Sequence, residues 1–531
     1  MNTLYCGDCL DVLRQFVPDE SVDVVYIDPP FNSKRDYNLF FDDKKLQTQR
    51  IAFEDTWTYK NVQDSLEELH TLEHENLWSL LIVYQKVAPH AFPYLVMMSL
   101  RLLELQRVIK PTGSFYLHCD QTMSHYLKTV CDLIFGEKNF KNEIIWKRKT
   151  GRGETNQKSF RFGVATDIIL FYGKSEQMAF NSQFSFDAHG YQEYVNKFFR
   201  FVDEKGRKFR IADLSSPSPR PNLMYEYKGY KPPKNGWAIS KEKMEKWDKE
   251  GRLYFPKERN GRIQRKRFLD ELKGKPIQNL WDDIQPISSQ SQERLGYPTQ
   301  KPKTLMQRIV QASSNEGDVV LDAFCGCGTT IDAAESLNRK WIGIDISPMA
   351  ISLIKRRLRD TYKSKLSPYE VKGIPVDEAS AIKLWQENKY AFQDWWLLEF
   401  EVFSGGKGAD KGIDGVGLYK VGKRANDTLK VAFQVKGGEH ISSKDVDALL
   451  GILAKFECQA GVFLTIEPPT KPMIETIATS GTVTTPIGMF PKLQLLTLKD
   501  FFEGKKLKLP AENITFKKAG THKREAEQLT L

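Results

Sequence analysis

Seven cysteines in 531 residues are too few, and odd in number, to frame a disulfide-stapled fold, and they read as reduced thiols. No window approaches ~18 uninterrupted apolar residues, the length a membrane-spanning helix needs. The opening residues Met1-Asn2-Thr3-Leu4-Tyr5 lack the basic start and apolar run of a secretory signal. Internal repeats are missing too. These absences predict a cytoplasmic chain with no membrane partner. What is present is ordinary globular composition, 40% hydrophobic and 27% charged, which excludes a disordered or collagen-like chain. At this length two or three domains are expected, each able to bury its own core.

The net charge of +10 is unevenly placed. Between Lys141 and Leu280 there are 31 Lys/Arg against 17 Asp/Glu, a local +14, so the rest of the chain sums to −4. Trp146, Phe160, Phe162, Tyr225, Tyr227, Tyr230, Trp237, Trp247 and Tyr254 are interleaved with the charge. Arg262, Arg265, Lys266 and Arg267 form the densest cluster. A short basic run is most often a solvated face. An imbalance sustained over this length, with aromatics, favours a nucleic-acid surface.

The hydrophobic pattern is that of an α/β chain. Val22 to Ile27 reads as a buried strand ending at Asp28-Pro29-Pro30, which cannot continue a sheet. Phe92 to Lys110 has helical spacing, broken by Pro111-Thr112-Gly113, and strands are expected over Ser114 to Leu117 and Ile168 to Tyr172. Near Gly317 a second α/β stretch begins: a strand from Val319 to Leu321, a glycine turn, a helix from about Thr329 and a strand from Trp341 to Ile344. Residues 367–378 read as a linker. From Ala379 a separate α/β pattern follows, with strands around Gly415 to Tyr419, Val431 to Val435 and Ala460 to Thr465 and a helix from Ser443 to Phe456.

Two motifs carry chemistry in the first part. Asp322-Ala323-Phe324-Cys325-Gly326-Cys327-Gly328-Thr329-Thr330 joins a strand to a helix, and its glycines permit close backbone approach to a ligand. Asp345 ends the next strand, where an acid can accept ribose hydroxyl hydrogen bonds. Alone, this turn divides evenly between a nucleotide-like site and a plain strand-to-helix turn. The second motif, Asp28-Pro29-Pro30-Phe31, tips the balance. Together they resemble the β-class amino-methyltransferases of DNA, which pair an Asp-Pro-Pro-aromatic motif with a Phe-x-Gly-x-Gly loop. The order, catalytic motif first and basic segment between, is the one that class uses. Tyr5-Cys6-Gly7-Asp8-Cys9 and Tyr297-Pro298-Thr299-Gln300-Lys301-Pro302 are similar to its other cofactor elements, and Leu117-His118-Cys119-Asp120 and Leu280-Trp281-Asp282-Asp283 to strings in that family and in type III modification subunits.

The resemblance implies a Rossmann-like methyltransferase sheet over 1–366, with 141–290 as an inserted target-recognition region. It implies S-adenosyl-L-methionine (AdoMet) as cofactor, held by Asp8, Thr299, Lys301, Asp322, Phe324, Cys325, Gly326, Gly328, Thr329 and Asp345. Double-stranded DNA is the implied substrate, and Asp at the first catalytic position favours N6-adenine over N4-cytosine. Asp28 and the Pro29 carbonyl would accept the amine's N–H bonds, with Pro30 completing the shelf and Phe31 stacking on the extruded base. Cys6, Cys9, Cys325 and Cys327 could bind zinc on paper, but they occupy cofactor-loop positions and no zinc is expected.

Downstream, Gly412-Ile413-Asp414-Gly415 precedes a strand with Gln434 and Lys436 on one face. An acid, an oxygen ligand and a lysine make a hydrolytic set, with Asp414 and Gln434 as ligands for Mg²⁺. The segment 379–505 resembles Mrr-like restriction endonucleases of the PD-(D/E)xK superfamily in the variant with Gln, and Glu399 is a weaker candidate member. Residues 506–531 are expected to form a flexible tail. Three functions stay open: a methyltransferase with its own nuclease, a methyltransferase whose C-terminal domain is inactive and binds DNA, and a nuclease that senses AdoMet. A homodimer and a helicase or restriction-subunit partner stay open as well.

Overall fold

The structure is a computed structural model. It describes residues 1–30, 37–43, 46–53, 62–72, 74–149, 162–186, 190–258, 260–288, 291, 293–295, 297, 299–404, 412–424, 427–438 and 441–515. Two compact units are present, one of Met1–Asn181 with Ile284–Leu531 and one of Ser182–Asp283. Among the described residues no helix is long and apolar enough to cross a membrane.

In the larger unit the strands are β1 (Asn2–Cys6), β2 (Val22–Ile27), β3 (Ile109–Cys119), β4 (Phe140–Lys147), β5 (Thr166–Gly173), β6 (Val319–Asp322), β7 (Lys340–Asp345) and β8 (Tyr369–Lys372). They lie side by side in the order β4-β5-β3-β2-β6-β7-β1-β8. Neighbours from β3 through β8 run parallel, whereas β5 pairs antiparallel with both β3 and β4. β2 is buried at every position, as its β-branched sequence suggests for a central strand covered on both faces. Its one acid near the start, Asp23, is matched by Lys110 Nζ at 2.7 Å and accepts the Val319 N–H at 2.9 Å.

Helices cover the sheet: α1 (Cys9–Phe16), α2 (Phe92–Val108), α3 (Lys303–Ser313), α4 (Thr329–Ser336) and α5 (Pro348–Tyr362). α2 is apolar on nearly every side and lies in the main core, the position such a helix must take. It stops at Val108, two residues earlier than its spacing predicts, and β3 starts at once. Pro111-Thr112-Gly113 is therefore a bulge inside a strand and not a break. The register shifts there, Val22 pairing with Ile109 but Val24 with Ser114. A Cβ at Gly113 would stand 2.8 Å from the Asp23 carbonyl oxygen, which explains the glycine.

The expected linker is largely structured. Tyr369–Lys372 joins the sheet edge beside β1, and Asp377 caps the helix Glu378–Glu387 through a capping box with Ser380. The C-terminal domain follows with α6 (Lys389–Glu399), β9 (Gly415–Lys420), β10 (Thr428–Lys436), α7 (Ser443–Lys455), β11 (Ala460–Thr465) and β12 (Leu493–Thr497). Its sheet runs from Phe403–Ser404 through β9, β10 and β11 to β12, antiparallel as far as β10 and parallel beyond. The expected flexible tail is corrected over its first part. Glu512 and Ile514 pair with β9, through Lys420 N to Glu512 O at 2.9 Å and Ile514 N to Leu418 O at 2.8 Å.

The smaller unit contains an antiparallel sheet in the order Leu253–Tyr254, Gln264–Phe268, Lys208–Asp213, Phe201–Val202, over a core with Trp237, Met244, Leu253 and Ile263. It begins at Ser182 and not near 141, because β4 and β5 are built into the main sheet.

Candidate active site

β2 and β6 are neighbours, but the chain leaves β2 toward β3 and leaves β6 toward β7, in opposite directions across the sheet. Such a switch point opens a crevice at the carboxyl ends of the strands. A cavity of about 390 Å³ lies there, lined by Gly7 and Asp8 after β1, Asp28, Pro29 and Pro30 after β2, Asp322 to Cys327 after β6, and Asp345 and Ile346 after β7. Thr299, Lys301 and Thr329 complete much of the wall. The proline shelf and the glycine turn thus face one space. Of the sequence-assigned cofactor residues, Gly328 alone is not on the lining; with φ +74 it starts α4, and a Cβ on it would stand 2.6 Å from Ile354 Cγ1. Phe31 lies outside the described residues.

Asp28 is buried to 15% side-chain exposure and its two oxygens differ. Oδ2 accepts from Lys301 Nζ at 2.5 Å, while Oδ1 is buried without a hydrogen-bond partner. The glycine turn is held by its own acids. Asp322 Oδ1 accepts the Phe324 N–H at 3.0 Å, and Asp345 accepts from Gly326 N at 2.8 Å and Ser347 N at 2.9 Å. Burial pushes the Asp322 carboxyl up to about 7 and the Asp345 carboxyl up to about 6, against the pull of these N–H groups. Burial likewise pushes Cys6 up to about 12 and Cys9 up to about 11, so both remain thiols at neutral pH. Among the described residues no three His, Cys, Asp or Glu are grouped to hold a metal ion.

Several lining residues escaped the sequence reading. Arg101 is the one buried charge of the largely apolar helix α2 and clasps Asp8 through Nη2 at 2.9 and 2.7 Å, while Asp8 also caps α1 by accepting from Leu10 N. An arginine in such a run was itself a signal. Tyr26 is two residues before Asp28 and so shares its face of the strand. Its hydroxyl meets His118 Nδ1 at 2.9 Å, and His118 Nε2 meets Asp167 Oδ2 at 3.2 Å, all three buried. Burial opposes ionisation of Asp167. The hydrogen bond from His118 and the nearby Lys301 and Arg148 cations outweigh it and hold the carboxyl below its usual range. Through Tyr26, which lines the cavity, His118 and Asp167 are joined to its wall.

In the C-terminal domain, Asp414 is anchored beside β10: its N–H donates to Phe433 O at 3.0 Å and its Oδ2 accepts from Val435 N at 2.7 Å. The next residues on either side of Val435 are Gln434 and Lys436, so the strand brings the three together. Gln434 Oε1 is buried without a partner, and so is Thr465 Oγ1 on the paired strand, opposite Lys436. Lys436 Nζ is 3.9 Å from Asp445 Oδ1. Glu399 is not drawn into this group; its carboxylate turns to Lys355 Nζ on α5 at 3.1 Å. In the smaller unit Arg265 lies on the Trp247 ring at 4.2 Å, Lys266 faces the Phe209 ring at 5.2 Å, and Arg262 and Arg267 are exposed.

A mostly parallel α/β sheet whose switch point joins an Asp-Pro-Pro shelf to a glycine turn defines a methyltransferase fold, followed here by a restriction-endonuclease-like α/β domain. The chain belongs to the DNA methylase family, whose model matches residues 22–356. A second model, restriction endonuclease, matches residues 381–488. The type II methyltransferase M.HpaI of Haemophilus parainfluenzae is 41% identical over 355 residues, 67% of this chain and 73% of that protein. The type II methyltransferase M.EcaI of Enterobacter cloacae is 34% identical over 267 residues, 50% of this chain and 57% of that one. The StyLTI Mod subunit, a type III restriction-modification enzyme of Salmonella typhimurium, is 28% identical over 355 residues, 64% of this chain and 50% of that subunit. The chain spans about half to three-fifths of the length of several curated relatives it matches.

Proposed function

We propose that this protein transfers a methyl group from AdoMet to the N6 amine of an extruded adenine in double-stranded DNA, and that its C-terminal domain cleaves DNA with Mg²⁺. The observation that carries the first reading is Asp28 Oδ1, a buried acceptor without a partner in the cavity that the glycine turn also walls. An adenine amine is a poor nucleophile because its lone pair is delocalised into the ring. Asp28 Oδ1 and the Pro29 carbonyl can accept its two N–H bonds, which leaves the lone pair free to turn toward an electrophile.

The cavity suits the cofactor. Its volume of about 390 Å³ is within the range that encloses such a molecule. Gly326, at φ +49, presents backbone where a side chain would crowd, and its N–H is already fixed by Asp345. Asp8, Asp345, Thr329 and the turn 324–326 would hold the cofactor. AdoMet, when bound, supplies a methyl group on a positively charged sulfur. The buried acids Asp322 and Asp345 favour a cation beside them. For cleavage, Asp414 and the unpartnered Gln434 Oε1 fit as ligands for Mg²⁺, which supplies charge neutralisation at phosphate, and Lys436 can steady a water or the phosphate.

The test uses the full chain, unmethylated DNA and AdoMet labelled in its methyl group, followed by separation of the nucleosides. Label is expected in N6-methyladenine and is expected to vanish in Asp28→Ala. Label in N4-methylcytosine overturns the base assignment, and no transfer by the wild-type chain overturns the reading itself. With Mg²⁺ added, cleavage of unmethylated or methylated DNA is expected and should be lost in Lys436→Ala while methylation persists.

A further inference from the structure

The sequence pattern groups Lys301 with the cofactor residues, yet its ammonium is engaged elsewhere. Nζ donates to Asp28 Oδ2 at 2.5 Å and to the Thr299 carbonyl at 3.3 Å, and the residue is only 8% exposed. The loop that carries it is fixed before any ligand arrives. Gln300 ties it back, its Oε1 accepting from Leu295 N and its Nε2 donating to Glu293 O, each at 2.8 Å. Thr299 takes a left-handed conformation at φ +64, and Lys303 N donates to Glu293 Oε1 at 2.6 Å where α3 begins. The ammonium is therefore aimed by a clamped loop and not by a free side chain.

We infer that Lys301 is a positioning residue for methyl transfer: by occupying Oδ2 it fixes the orientation of the Asp28 carboxylate, so that Oδ1 alone is presented to the amine. This rests on the methyl-transfer reading above. The amine must donate, and with Oδ2 already taken the acceptor it meets is Oδ1. Asp28 shares its cavity with Asp322 and Asp345, and the Lys301 ammonium is in direct contact with it. The engaged oxygen also sets the orientation of the carboxylate, since rotation would break the ion pair and bury two unmatched charges.

The experiment compares Lys301→Met and Lys301→Arg with the wild-type chain, measuring AdoMet affinity by equilibrium binding and single-turnover methyl transfer to DNA at saturating AdoMet. In Lys301→Met we expect affinity within threefold of wild type and a transfer rate lower by about 10²-fold, the scale of losing one preorganised electrostatic contact. Lys301→Arg should restore the rate to at least a tenth of wild type. Retained AdoMet binding shows that the variant pocket is folded. An affinity lowered more than tenfold with a normal saturated rate would make Lys301 a cofactor contact and overturn the inference. A Met variant that transfers at the wild-type rate overturns it as well, as does an Arg variant no faster than Met. Wild-type protein that binds AdoMet but methylates no DNA sinks the methyl-transfer reading instead, a distinct outcome.

Discussion

Leu398, near the end of α6 in the C-terminal domain, is packed into one buried cluster with Cys327 of the glycine turn, together with Tyr297, Met349, Ala350 and Leu353. Tyr297 and Cys327 also line the cavity, so the nuclease-like domain braces its wall. The contact is reinforced at its rim by the half-buried pair Lys355–Glu399 at 3.1 Å and the more exposed pair Arg359–Glu401 at 2.7 Å, solvent-accessible pairs that add little by themselves. Leu398→Ala should destabilise the chain by about 2–5 kcal/mol in chemical denaturation. It should also weaken AdoMet binding severalfold. Leu449→Ala, in a separate cluster of the same domain, is expected to cost similar stability with AdoMet affinity unchanged. Equal affinity in both variants would show that the brace does not reach the cavity.

That brace marks the boundary of what the sequence could tell. The strand at Val22–Ile27, the turn at Asp322–Thr330 and the strand bearing Gln434 and Lys436 were legible because local pattern and motif coincide there. Lys301 and Asp28 are 273 positions apart, and only the order of strands puts them in contact. The same holds for Tyr26, His118 and Asp167, which meet because β2, β3 and β5 are adjacent. Residues 369–372 looked like a linker because a short edge strand half exposed to water has no strong apolar signature. Glu399 was misplaced for a related reason: helical position alone cannot say which neighbouring domain a side chain turns toward.

The raised carboxyls of the cavity make cofactor binding pH-dependent. In the cofactor-free protein, a carboxyl raised above its unfolded value of about 3.9 adds stability that is complete below that value. For Asp345 and Asp322 this contribution is lost as pH rises through about 6 and about 7. A cationic cofactor draws both toward the ionised form. Binding should therefore release protons, and AdoMet affinity should rise with pH across this window. Titration calorimetry in two buffers of different ionisation heat counts the protons; a count of zero near pH 6.5, with flat affinity, would remove these two groups from the site's electrostatics.

Gly328 separates two demands on the turn. Its φ of +74 disfavours any side chain, and a Cβ there would approach Ile354 Cγ1 to 2.6 Å. Gly328→Ala should cost stability through both effects and displace the start of α4, weakening AdoMet binding although the residue does not line the cavity. Adding Ile354→Ala relieves the clash but not the backbone conformation, whose cost is about 1–2 kcal/mol. The double variant should therefore recover part of the AdoMet affinity lost in Gly328→Ala and never all of it. Full recovery would assign the whole effect to the clash.

Gln434 offers a case in which stability and activity move in opposite directions. Its Oε1 is buried without a hydrogen bond, a defect of about 1–3 kcal/mol in a folded chain. Its strand neighbours Phe433 and Val435, and Ala432 on its own face, are buried in apolar clusters. The metal role proposed above would account for it: the oxygen is open to a cation, next to an Asp414 already fixed by Val435 N. Gln434→Met, similar in shape and apolar, should then raise the unfolding free energy by about 1 kcal/mol without Mg²⁺. The same change should abolish Mg²⁺-dependent cleavage and leave methyl transfer intact. Mg²⁺ should also raise the melting temperature of the wild-type chain and not that of the variant. A variant that gains stability yet still cleaves DNA would show that the buried amide serves neither the metal nor the reaction.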